Sequence, residues 1–123
     1  MKRILLAMTL CAGAAATMAA DVDGAYWSQR PESCREFRRL LSSQERTPAV
    51  MNMRGWVAGY ITAFNRQTPE TYDILGITDF EAALNLIDGY CKANPLHNLT
   101  KAMEAFTEDL YPKRHLTRRQ AGH

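Results

Sequence analysis

The chain has 123 residues, 46% of them hydrophobic and 23% charged, with a formal net charge of +2. That length allows one folded domain, alone or behind a targeting segment, and excludes a cofactor domain beside a substrate domain. The chain is too apolar for disorder, and its basic excess is too small for a nucleic-acid-binding surface.

Lys2 and Arg3 precede an apolar run, Ile4 to Leu10, and an alanine-rich stretch, Ala12 to Ala20. A short positive region, an apolar centre and small residues at the end make a secretory signal peptide over residues 1–20, cleaved after Ala19 or Ala20. The same run is too short and wrongly flanked for a membrane anchor. Bulky Leu10 argues against lipid attachment at Cys11. Cleavage removes both Lys2 and Arg3, leaving 13 basic residues against 13 acidic ones. Two of the three cysteines remain, Cys34 and Cys91. In an exported chain an even pair reads as a disulfide. Closing the loop between them stabilises the fold by roughly 4 kcal/mol in the chain-entropy picture.

Residues 21–31 read as an extended lead-in, polar except for Tyr26 and Trp27. Pro31 suits a first helical turn, and Cys34, Phe37, Leu40 and Leu41 fall on one face of the helix it opens. Thr47-Pro48 is a cap followed by a proline at the first position, and starts a second helix to about Arg66. In it Trp56, Tyr60 and Phe64 form one ridge, while Met53, Val57 and Ile61 form another. Gly55, Gly59 and Ala63 make a third row with almost no side chain. A helix apolar over most of its circumference is expected at the centre of a core, with a neighbour approaching the small row closely. The loop over 67–77 carries Tyr72, Ile74 and Leu75, and its apolar residues predict that it folds back on the core.

Thr78 with Glu81 reads as a capping box for a third helix that turns Phe80, Ala83, Leu84, Ile87 and Cys91 inward. Asn94-Pro95 repeats the cap-plus-proline signal, and a fourth helix follows with Leu96, Leu99, Met103, Phe106 and Leu110 as its stripe. Pro112 stops it. Residues 113–123, with Lys113, Arg114, Arg118 and Arg119, read as a basic flexible tail. No stretch alternates with period two. The expectation is a small all-α, four-helix domain over residues 32–112, with Cys34 stapling the first helix to the third.

Sites for chemistry are sparse. There is no glycine-rich phosphate loop, nucleophile elbow, Cys-x-x-Cys or His-Glu-x-x-His. The histidines, His97, His115 and His123, do not make a ligand set with the paired cysteines, so neither a metal nor a cofactor is expected. Glu70, Asp73, Asp79 and Glu81 gather near a helix start, where acidic residues complement the helix dipole; a glycosidase-like acid pair is the sharper alternative. Tyr60 and Asn65 could line a small pocket near Asp73, or else pack and cap the helix end. An enzyme is disfavoured.

Cys34-Arg-Glu-Phe37, Thr47-Pro48-Ala49-Val50, and Ile87 to Cys91-Lys92-Ala93-Asn94-Pro95 with Asn98-Leu99 resemble, in order, the HdeA/HdeB family of periplasmic acid-stress chaperones. The resemblance spans about residues 33–110. The segment around 67–78 is longer than in that family's best-known members, and the Gly55 to Tyr60 run is richer in glycine and aromatics. The resemblance implies an all-α fold with the Cys34–Cys91 bridge, a periplasmic location, and a homodimer at neutral pH that opens in acid to hold unfolding clients. Trp56, Val57, Tyr60, Phe64, Ile74 and Leu75 are then the apolar residues expected in the core or exposed to clients on opening. In strong acid the 13 carboxylates protonate, leaving about +16 on the chain, a self-repulsion that favours expansion. The competing expectation is a small envelope module that binds one folded partner at neutral pH, through the glycine-aromatic helix and the loop from Tyr72 to Leu75. Neither reading calls for nucleic acid or a membrane span.

Overall fold

The computed structural model describes residues 20–29 and 32–122; residues 1–19 of the expected signal peptide, and Pro31, lie outside them. Four α-helices carry the fold: α1 (Cys34–Leu41), α2 (Pro48–Gln67), α3 (Phe80–Ala93) and α4 (Leu99–Leu110), with a 3-10 turn at Tyr111–Lys113. Among the described residues there is no strand, only two isolated bridges, Ser33 with Asn98 and Asp73 with His115. The protein is all-α, and Cys34 is bonded to Cys91.

The caps explain the boundaries. Ser33 caps α1 by accepting from the Glu36 N–H, and Thr47 caps α2 by accepting from the Val50 N–H, with Pro48 behind it. Each satisfies a donor that the first helical turn leaves free. Two caps differ from the sequence expectation. Asp79, not Thr78, caps α3, its carboxylate accepting from the Ala82 N–H at 2.7 Å. Asn98, not Asn94, caps α4. Asn94 instead closes α3, donating its side-chain amide to the Tyr90 carbonyl. The chain then turns through 95–97 so that Cys34 N–H donates to the His97 carbonyl and Leu99 N–H to the Glu32 carbonyl. These bonds lock the start of α1 to the start of α4 and leave Leu96 89% exposed, outside the stripe expected of it.

The core is built from one stripe of each helix. α1 contributes Cys34, Phe37 and Leu40; α3 contributes Ala83, Leu84, Ile87 and Cys91; α4 contributes Leu99, Ala102, Met103, Phe106 and Leu110. α3 lies against both α1 and α4, and α2 leans chiefly on α1. The helix expected at the centre, α2, is therefore peripheral. It buries Val50, Met53, Val57 and Ile61 and leaves Gly55, Ala58, Gly59 and Ala63 exposed. A Cβ added at Gly55 or Gly59 would meet nothing within 4 Å. Burial follows the branched, bulky stripe because each such side chain removes far more apolar area from water than a glycine row can.

The 68–79 loop folds back as expected and sinks Ile74 fully into the core. Gly76 has φ +59, and the Lys113 carbonyl packs where its Cβ would be, so only glycine fits. The following segment is not a free tail at its base. Tyr72 and Asp73 N–H groups donate to the His115 carbonyl, and His115 N–H returns a bond to Asp73. Arg114 adds a bond to the Thr71 hydroxyl at 3.0 Å and stacks over Tyr111. Flexibility was expected from the basic composition, yet backbone pairing with a loop does not depend on side-chain charge. No helix among the described residues is long and apolar enough to cross a membrane.

Candidate functional site

Spacing four along α2 places Trp56, Tyr60 and Phe64 on one ridge beside the buried stripe, and all three are half-buried. The Trp56 and Tyr60 ring centroids lie 5.7 Å apart, a tilted pair. Three rings this close to the surface need cover, and the lead-in supplies part of it. An Asp21 turn, in which its carboxylate accepts from the Asp23 and Ala25 N–H groups, reverses the chain. The strap then runs across α2 and α4. The Trp56 indole donates to the Gln29 carbonyl at 3.1 Å, and the Ser28 and Thr100 hydroxyls meet at 2.9 Å. The Tyr26 hydroxyl donates to Glu104 Oε1 at 2.7 Å.

Between strap and helices is an open cavity of about 570 Å³, lined by Ala20, Tyr26, Tyr60, Ala63, Phe64, Gln67, Thr68 and Glu104. Its size is that of small-molecule sites. Partial burial works to raise the Glu104 carboxyl, but hydrogen bonds from Lys101 and Tyr26 outweigh it and hold the group below the ordinary glutamate range. Burial pushes the Tyr26 and Tyr60 hydroxyls up, and the Glu104 carboxylate pushes further in the same direction. Both phenols therefore stay protonated at neutral pH, where Glu104 is ionised.

The residues expected at a site separate into three groups. Trp56, Tyr60 and Phe64 come together, two of them at the cavity. Val57 and Ile74 are fully buried and unreachable without opening the fold, and Leu75 is half-buried in the loop. Asn65 and Asp73 do not join Tyr60. Asn65 Oδ1 instead accepts from the Ile74 N–H at 2.8 Å, and Asp73 Oδ1 accepts from the Leu75 N–H at 3.0 Å, so both brace the loop. Asn65→Ala leaves the Ile74 N–H unpaired and is expected to cost about 1–3 kcal/mol, read as a lowered denaturation midpoint with faster amide exchange at Ile74. The acidic group is likewise dispersed into structural tasks: Asp79 caps α3 and Glu81 pairs with Arg54 of α2. Among the described residues no three His, Cys, Asp or Glu side chains converge as a metal site.

The chain matches no family profile, no curated protein and no solved structure. The site must speak through its chemistry alone. Tyr26 and Glu104 are the functional residues that sequence reasoning missed. Tyr26 was legible only as an apolar interruption in a polar lead-in, and Glu104 as one of several acids on the outer face of α4. Their pairing joins residues 78 apart and has no local signature.

Proposed function

We propose that the protein is a periplasmic holdase-type chaperone of the HdeA/HdeB kind, exported by its N-terminal segment, homodimeric at neutral pH and opening in acid to bind unfolding clients. It does so without a catalytic step. The observation that carries this reading is the aromatic ridge of α2, half-covered by a strap that hydrogen-bonds to Trp56 and to Glu104 of α4, on a domain closed by a buried disulfide.

Acid acts unequally on the parts. The bridge ties α1 to α3 at any pH. The cross-element contacts made by carboxylates do not share that independence: Arg38 with Asp88 joins α1 to α3, Arg54 with Glu81 joins α2 to α3, and Tyr26 with Glu104 joins strap to α4. The lowered Glu104 carboxyl means that its contacts stabilise the folded state above the ordinary glutamate range. That contribution is lost as pH falls through the lowered folded value. Exposed ion pairs are worth little one by one, but their loss coincides with the rise of net charge to about +16. α2, which leans chiefly on α1 and carries neither bridged cysteine, is the element freed first. Its release bares Val50, Met53, Val57 and Ile61 beside the aromatic ridge.

Light scattering from an aggregation-prone client at pH 2–3 tests the reading. Suppression by the oxidised protein is expected at several-fold molar excess, and unchanged aggregation there overturns it. Size and circular dichroism from pH 7 to pH 2 are expected to show a dimer giving way to an expanded, still helical monomer.

A second reading is favoured by a separate observation. From Met51 to Ala63 the exposed positions of α2, with Gly55, Ala58, Gly59 and Thr62, are uncharged, and Arg54 within that span is half-buried and paired with Glu81 of α3. Such a face suits an envelope interaction module that binds one folded protein at neutral pH. A stoichiometric partner recovered from periplasmic extract at pH 7, abolished by Gly59→Arg, would favour it over the chaperone.

A further inference from the structure

The cavity beneath the strap combines three aromatic rings with one carboxylate. Tyr26, Tyr60 and Phe64 supply the rings, Glu104 the charge, and among the described lining residues none is cationic. Lys101, which pairs with Glu104, stands outside the lining and is 63% exposed, so its charge is well solvated. We propose that this cavity binds an organic cation with a fully alkylated ammonium group and a short apolar body.

The choice of an alkylated nitrogen follows from the hydrogen bonds already made. Glu104 Oε1 accepts from Tyr26 at 2.7 Å and Oε2 from Lys101 at 2.9 Å. A primary ammonium needs acceptors for three N–H groups, and here it would have to displace these donors. A trimethylammonium group needs none. It offers diffuse charge to the carboxylate and to ring faces, and loses little hydration on leaving water. The neighbouring Ala63 and Phe64 surface accommodates the apolar body, and the open mouth admits it without unfolding. This inference is independent of the acid-chaperone reading, because it concerns the closed protein at neutral pH.

The test is titration of the oxidised protein at pH 7 with hexyltrimethylammonium, hexylammonium, hexanol and hexanoate, followed by backbone amide shifts at Tyr60, Ala63, Phe64 and Glu104. The trimethylammonium compound is expected to bind about tenfold more tightly than hexanol, and hexanoate least. Glu104→Gln should erase the preference over hexanol. Phe64→Leu, which keeps an apolar wall but removes a ring face, should weaken the cation several-fold and leave hexanol unchanged. Equal binding of cation and alcohol, a preference for hexylammonium, or a preference that survives Glu104→Gln would each overturn the proposal. A trimethylammonium group occurs both in free solutes and in choline-lipid headgroups. Sedimentation with phosphatidylcholine vesicles that depends on Glu104 assigns the lipid source, and Glu104-dependent binding of the free compound alone assigns the solute.

Discussion

Loss of the Cys34–Cys91 bridge is expected to lower the melting temperature by about 15–30 °C. The cross-link joins positions 57 apart, and freeing a loop of that length from the unfolded chain corresponds to roughly 4 kcal/mol. In a domain of this size each kcal/mol moves the midpoint by about 4–8 °C. Small domains have only about 5–15 kcal/mol in total, so the reduced protein should stand near the edge of folding at body temperature. Both cysteines are fully buried, and a double alanine variant would therefore also lose packing. Reduction without substitution keeps the sulfur atoms in place and isolates the cross-link. Thermal melts of the oxidised protein, the reduced protein and the double variant measure the two contributions. A reduced protein melting within about 5 °C of the oxidised one would show that the bridge contributes little to stability.

Phe37→Ala is expected to destabilise by about 3–5 kcal/mol. Phe37 is fully buried on α1, in the same cluster as Cys34, Leu84 and Met103. It is among the largest side chains in the core, and the helices around it are held by the bridge and by α1's own cap, so they cannot collapse into the space. Phe37→Leu, which leaves a smaller void, should cost clearly less. Trp27, 84% exposed on the strap, provides the contrast: Trp27→Ala should stay within about 0.5 kcal/mol. Urea midpoints for the three variants check the order. A Phe37→Ala cost below about 1 kcal/mol would mean that the core repacks freely around the bridge.

Much of the architecture was legible along the chain because helices are read from near neighbours. Thr47-Pro48 marked the start of α2, and the inward positions of α3, from Ala83 to Cys91, followed from spacing alone. The pairing of Cys34 with Cys91 followed from arithmetic once the leader-like segment was set aside. The errors have a common cause. Thr78, Asn94 and Leu96 were placed by local signals, while the contacts that decided them came from elsewhere. The bridge between Ser33 and Asn98 made 95–97 a turn, and Asp79 took the cap because its carboxylate reached the Ala82 N–H.

The site was less legible than the fold. The ridge of Trp56, Tyr60 and Phe64 is a periodic pattern and could be read. Its cover could not, because the Tyr26–Glu104 bond depends on how the lead-in crosses α4. Asn65 illustrates the converse: its place at the end of α2 suggested a helix cap or a pocket wall, whereas its side chain braces Ile74.

The chain has 123 residues, a formal charge of +2 and three cysteines. By itself the sequence determined that it is helical, how its helices are patterned, and which two cysteines remain beyond the leader-like segment. Those properties depend on residues three or four apart, where backbone geometry leaves little freedom. Only the tertiary structure decided that α2 lies at the edge, that its glycine row faces solvent, and that a strap closes an aromatic cavity over one carboxylate. Hydrophobicity states that a surface must be buried; which partner buries it depends on contacts between distant segments.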